Sequence, residues 1–217
     1  MRTDGSHQPV LWCHRDSGHS YKVALALALL GVNCEKRAVD LNLPREQREA
    51  GFRDASKFGE VPALVIDGHA IVQSNAILDF LARRFARLDG IDMHAQTHVR
   101  EWLSWESNRL AMSFPHLRYS RCFMRADPVL EAWWSERMHA DFARLDQALA
   151  DRAFLLGGVP TIADVSCCGY LFYTDQAGVD MAPWPSITAW LDRIRALPGW
   201  RAPYDLLPEG VPLDTGA

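Results

Sequence analysis

The sequence predicts two units in series: a small α/β unit with a mixed sheet, then an all-α helical bundle. Three observations carry this. Residues 9–88 hold short apolar runs separated by helical segments and close on an Asp-Gly hairpin signature. From about residue 93 strand signals stop, and apolar residues recur at steps of three and four. Between them "ARLDGID" (86–92), with its Gly90, reads as a linker. A chain of 217 residues has room for one large domain or two small ones, and boundaries of 1–86 and 93–217 follow.

The first unit opens on "PVLWC" (9–13), a short apolar run of the kind a buried strand shows. "SGHSYKVALALALLG" then reads as a helix, with Ser17 as candidate N-cap and Gly31 as its stop. "VNCEKRAVDL" alternates loosely and reads as a second strand, while residues 45–56 are polar and fit either a short helix or a loop. "PALVI" and "HAIV", joined by Asp67-Gly68, carry a hairpin signature, because Asp-Gly suits a type I′ turn. Ser74 starts a helix on which Ile77, Leu81, Phe85 and Leu88 keep helical spacing. The order is β-α-β-α-β-β-α. A crossover helix makes the first two strands parallel, and the hairpin adds antiparallel ones.

In the second unit residues 98–113 read as a helix with Trp102 and Trp105 on one side, which Pro115 ends or kinks. Leu130, Trp134, Met138, Phe142, Leu145 and Leu149 mark a long helix, and Ile187, Trp190, Leu191, Ile194 and Leu197 mark another. Trp133 and Trp134 are expected in the bundle core. Residues 161–173 read as a further helix, with Thr161 at its N-cap and Asp164 completing a capping-box variant. Gly169 would let a neighbouring element come close.

A net charge of -4 excludes a global basic field for nucleic acid, and Arg118, Arg121 and Arg125 read as a solvated helix face. The five cysteines are odd in number, widely spaced and without a CxxC, which argues for free thiols and a reducing compartment. Cys13 reads as a small buried strand residue. The histidines are scattered without a paired Cys/His spacing, so no metal is expected. The polar start "MRTDGSHQ" is not a secretory leader, and the longest apolar run, "VALALALL" (23–30), is too short to span a bilayer. The chain reads as soluble and cytoplasmic, with neither a nucleic-acid nor a membrane partner.

Pro62 stands at the mouth of the third strand, where a proline removes a ladder donor. A β-α-β followed by a β-β-α, with a proline entering the third strand, is the layout of the thioredoxin-like fold, in which that X-Pro bond is cis. A cis bond there turns the N–H and C=O of Val61 toward a groove, where an extended peptide can pair with them. "FGEVPALVIDGHAIVQSNAILDFLARRF" resembles the glutathione-binding half of the cytosolic glutathione S-transferases. "SGHSYKVALALALLG" resembles the first helix of bacterial, serine-type members, and "TIADVSCCGYLF" is similar to the capping-box helix of the family's C-terminal domain. The three stretches come in the family's order, and the resemblance covers nearly the whole chain.

The resemblance implies glutathione as co-substrate, a homodimer, and conjugation of the thiol to a small apolar electrophile, as in detoxification. Val61 and Pro62 would hold the tripeptide. Gln73 can accept from the γ-glutamyl amine and donate to its carboxylate. Ser74 adds a hydroxyl at a helix N-terminus that already favours an anion, although a plain N-cap would also explain it. Lys57 is a candidate partner for the glycine carboxylate, or a solvated lysine. A free thiol has a pKa of about 8.5, so little is thiolate at neutral pH. Ser17 sits where the family places its catalytic Ser, Tyr or Cys and is the expected donor to the sulfur, with His19, Ser20 and Tyr21 as alternatives. Similar bacterial sequences read Ser-Gly-Asn where this one reads Ser17-Gly18-His19, so His19 is a donor, a base or a solvent-facing residue. For the electrophile, Trp102, Trp105, Arg109, His116 and Tyr119 are candidates, and an aromatic stripe equally fits bundle core. Two other functions stay open. One is glutathione-dependent isomerisation of the maleylacetoacetate isomerase type, whose usual Ser-Ser-Cys opening is missing here. The other is a non-catalytic binding module on the same scaffold. The lack of a cysteine at position 17 argues against disulfide reduction by a protein thiol.

Overall fold

The computed structural model describes residues 8–214; the start on which the leader argument rested, residues 1–7, lies outside them. Strands β1 (Val10–Cys13), β2 (Glu35–Ala38), β3 (Ala63–Ile66) and β4 (His69–Val72) form one sheet in the order β2-β1-β3-β4. β1 and β2 run parallel across the crossover helix α1 (Gly18–Leu30), and β3 is antiparallel to both β1 and β4. Side chains alternate along a strand, so Leu11, Cys13, Leu64 and Ile66 enter the main core. Trp12 and Ala63 enter a smaller one on the other face, with Val39, Phe52 and Ala55. Both faces are covered, which is why β1 and β3 read as continuous apolar runs. Asp67 and Gly68 both take positive φ, 51° and 77°, as a type I′ turn requires. Segment 45–56 is a 3₁₀ turn at Arg45–Gln47 followed by α2 (Ala50–Ala55).

α3 (Ser74–Phe85) is shorter than its apolar spacing predicts. Ala86 turns left-handed, and Leu88 lies past the helix, where its carbonyl accepts from the Ile162 N–H at 2.7 Å. The rest of the chain forms α4 (Met93–Asn108), α5 (Phe114–Cys122), α6 (Pro128–Leu149), α7 (Ile162–Cys168), α8 (Pro185–Arg195) and α9 (Pro203–Leu206). Pro115 does not end α4. That helix stops at Asn108, the chain turns through Leu110–Met112, and Pro115 falls in the first turn of α5, where an N–H has no partner to lose. α7 stops at Cys168 rather than running to 173, and a turn leads into a 3₁₀ segment at Leu171–Tyr173. Its capping box is present: Thr161 Oγ1 accepts from the Ala163 N–H at 3.2 Å, and Asp164 Oδ2 accepts from the Thr161 N–H at 2.8 Å.

Phe142, Leu145 and Leu149 of α6 share the core with Ile187, Trp190 and Ile194 of α8. The first turns of α6 do not: Leu130 and Trp133 are 48% and 49% exposed, and Trp134 lies at the core edge, stacked on His116. α1 is apolar round its circumference because the sheet, α3, α7 and α9 surround it. One core therefore runs through both halves. Among the described residues no helix is long and apolar enough to cross a membrane.

Candidate active site

A cleft of about 680 Å³ opens where the N-termini of α1 and α3 and the loop before β3 face α4, α5 and the turn after α7. The Val61–Pro62 peptide on its floor is cis. Among the described residues, neither the N–H nor the C=O of Val61 has a hydrogen-bond partner. Arg48 lines the cleft beside this loop, its Nη1 donating to the Gly59 carbonyl at 2.8 Å.

At the start of α3 the N-cap is Gln73, not Ser74, and no side chain caps the helix. Gln73 takes a φ of 69°, a region that disfavours side chains, and its Nε2 donates to Glu60 Oε2 at 2.9 Å. Ser74 is the first helical residue, so capping does not explain its hydroxyl, which instead lies 3.4 Å from His19 Nδ1. The free N–H groups of this turn face the cleft and suit an anion. Ser17 caps α1, its Oγ accepting from the Ser20 N–H at 3.1 Å while its proton stays available. His19 is partly buried, and burial with the nearby Lys22 ammonium pushes its pKa down to about 4. It is therefore neutral at neutral pH and offers a ligand no positive charge.

Glu106 of α4 forms the inner wall. Its Oε2 accepts from Lys22 Nζ and Asn75 Nδ2, both at 2.9 Å, and from Ser166 Oγ at 3.2 Å. Burial alone would raise its pKa; the Lys22 ammonium and the donated hydrogen bonds outweigh that and hold the carboxyl ionised. Arg118 is no solvated helix residue: it is 2% exposed at the cleft wall, donating to the Asp16 carbonyl at 2.7 Å and to Gln176 Oε1.

Of the residues expected from sequence, the cleft gathers Ser17, His19, Val61, Pro62, Gln73, Ser74, His116 and Tyr119. It does not gather Ser20 or Tyr21, which one helical step turns into the core: Ser20 Oγ accepts from the His14 N–H, and the Tyr21 hydroxyl donates to the Arg201 carbonyl at 2.8 Å. Lys57 is exposed, with its ammonium over the Phe58 ring. Trp102 and Trp105 of α4, with Arg109 just past its end, line a separate hollow of about 620 Å³, where Arg109 pairs with Asp141 at 2.9 Å. Cys13 is fully buried, and burial pushes its thiol up to about 12.

The comparison with known proteins agrees with this fold. The family model for the glutathione S-transferase N-terminal domain matches residues 8–83, and that for the glutathione S-transferase C-terminal domain matches residues 114–193. The chain belongs to the glutathione S-transferase family. A solved glutathione S-transferase from Xanthobacter autotrophicus Py2 is 30% identical and superposes with a TM-score of 0.82, covering 91% of this chain and 98% of that one. The maleylacetoacetate isomerase of Pseudomonas aeruginosa is 26% identical over 200 residues, 88% of this chain and 93% of its own. Glutathione S-transferase theta-2 of Mus musculus is 25% identical over 182 residues, 78% of this chain and 73% of its own. Within this glutathione S-transferase fold, sequence reasoning missed Arg48, Glu106, Arg118 and Tyr170. A signal existed for Glu106. It falls on the buried stripe of α4 with Val99, Leu103 and, just beyond the helix, Leu110, and Lys22 falls inside the apolar run of α1. Two opposite charges at buried positions call for each other.

Proposed function

We propose that the protein is a glutathione transferase that stabilises the thiolate of bound glutathione and conjugates it to an apolar electrophile. The observation that carries this is the convergence, in one cleft, of the unpartnered Val61 backbone, the uncapped N-terminus of α3 and the Ser17 hydroxyl. The γ-glutamyl carboxylate fits the Ser74 hydroxyl and the first N–H groups of α3. Its amine fits Glu106 and the side-chain oxygen of Gln73. The cysteinyl backbone pairs with Val61 as an added strand. Arg48 takes the role expected of Lys57, supplying positive charge for the glycine carboxylate beside the Gly59–Val61 loop. Ser17 donates its proton to the sulfur and favours the thiolate. Met112, Pro115 and Phe123 offer the electrophile an apolar wall, with His116 and Tyr119 beside them. The thiolate forms a carbon–sulfur bond there, and the leaving group departs with its electron pair. Family membership also supports a homodimer in the cytoplasm.

A second reading, a glutathione-dependent isomerase, is favoured by the buried Arg118 guanidinium at the cleft wall, which suits an acidic substrate. The Pseudomonas relative's name points the same way. There the thiolate adds to a carbon–carbon double bond and is expelled after rotation, so glutathione is not consumed. Retention on immobilised glutathione and a raised melting temperature in its presence test the shared part. If glutathione neither binds nor stabilises the protein, both enzymatic readings fail and a binding module remains. Loss of thiol in the presence of an aryl halide supports conjugation, whereas turnover of a cis-unsaturated dicarboxylic acid without thiol loss supports isomerisation.

A further inference from the structure

We propose that Leu213 closes the glycine end of the glutathione site and selects a thiol peptide that ends there. It rests on the glutathione reading, with Arg48 as partner of the glycine carboxylate. Residues 207–214 follow α9 and return to the first half of the chain. Leu206 and Leu207 are buried in the main core and anchor their start. Beyond them "PEGVPLD" (208–214) forms neither helix nor strand, and its two prolines favour extended backbone. It lies close against the end of β2: a Cβ on Gly210 would fall 2.9 Å from the Ala38 Cβ. Side chains of the first half then hold it. His14 Nδ1 accepts from the Asp16 N–H at 3.2 Å, so the ring proton sits on Nε2 and is donated to the Val211 carbonyl at 3.0 Å. Asn42 acts as a strand partner would. Its Nδ2 donates to the Pro212 carbonyl at 2.8 Å, and its Oδ1 accepts from the Asp214 N–H at 3.0 Å. Leu213 stands between those two bonds and lines the cleft.

The same tether leads to Arg48. Leu41, the residue before Asn42, also lines the cleft, and its carbonyl accepts from Arg48 Nη2 at 3.0 Å. Arg48 Nε donates to the Leu43 carbonyl at 3.0 Å, and Nη1 to the Gly59 carbonyl at 2.8 Å. Each terminal nitrogen thus keeps one further N–H for a ligand carboxylate. With the γ-glutamyl group at α3 and the cysteine at Val61, the last residue of the tripeptide arrives at this guanidinium. Leu41 and Leu213 flank it as apolar walls. They keep water from the ion pair, which strengthens its attraction. They also offer no hydrogen-bond partner to atoms past the carboxylate, so a longer chain must displace Leu213 or bury an unpaired polar group.

The test is calorimetric titration of the full chain with four thiols: glutathione, its glycine amide, the N-propyl form of that amide, and γ-glutamylcysteine. The two amides share the loss of charge and differ only in an alkyl chain, so their affinity ratio reads room at the glycine end. The wild type should bind the propylamide at least about fivefold more weakly than the amide, as methylenes without space imply. Leu213→Ala and Asn42→Ala, the second of which touches no ligand, should each bring that ratio within about twofold. γ-Glutamylcysteine lacks the glycine and should bind all three proteins alike, which also shows that the variants are folded. A smaller wild-type ratio, or one that persists in either variant, overturns the inference. Parallel losses for γ-glutamylcysteine and glutathione overturn it as well, because the segment would then support the site as a whole. If glutathione and its amide bind the wild type equally, Arg48 is not the carboxylate partner and the inference falls with that assignment. If glutathione does not bind at all, the glutathione reading itself fails.

Discussion

His19 lies against Ser74 and edge-on to Tyr170, with Lys22, Glu106 and His116 as its charged or titratable neighbours. Sequence left its role open between donor, base and solvent-facing residue, and its environment adds one limit: a neutral imidazole cannot act as a cation beside a thiolate. Its pKa falls from the ordinary 6.5 to about 4, so the unfolded chain binds a proton in that window and the folded chain does not. Stability is therefore complete above pH 6.5 and declines as pH falls toward 4. Urea unfolding across this range should show His19→Gln losing less stability than the wild type, by up to about 3 kcal/mol. Equal pH slopes in the two proteins would refute the assignment. The residue type was legible in the sequence but its charge state was not, because the largest cause of the shift is burial, which the fold sets.

α7 opens on a capping box that the sequence shows directly. Asp164 Oδ1 accepts from the Leu155 N–H at 2.8 Å and Trp190 Nε1 at 3.0 Å, while Oδ2 serves the Thr161 N–H and hydroxyl. The capping box was legible because it lies within one helical turn; the links to Leu155 and Trp190 were not, because they join separate elements. Asp164→Ala leaves three buried N–H groups without an acceptor, and should cost about 3–5 kcal/mol in the unfolding free energy measured with denaturant. A loss below about 1 kcal/mol would reduce Asp164 to an ordinary cap. The hairpin was legible for the same local reason. Ser74 was not: its freedom from capping follows from the positive φ of Gln73, which no neighbouring residue type dictates.

At the scale of the whole molecule, the Lys22–Glu106 pair joins the first half to the second at the back of the cleft, both residues at most 2% exposed. Lys22→Met strands a buried carboxylate and should cost about 3–5 kcal/mol, and Glu106→Leu should cost about as much by stranding the ammonium. The double variant should lose clearly less than the sum, because neither charge is then left unpaired. Additive losses by thermal or urea unfolding would show that the two residues do not act as a pair. Glutathione retention should fall in both variants carrying Glu106→Leu, since that carboxylate also faces the ligand. The sequence by itself determined the order of strands and helices in the first half, the mixed sheet, the resemblance to the family, and the candidate ligand contacts Val61, Pro62, Gln73 and Ser74. Those features depend on periodicity, turn chemistry and short motifs, all set by residues near in the chain. Only the tertiary structure decided that Glu106, Arg118 and Tyr170 share a cleft with Ser17, and that Tyr21, Trp105 and Arg109 do not. The physical reason is that a helix carries several faces, and which of them meets the cleft is settled by packing between halves that are distant in sequence.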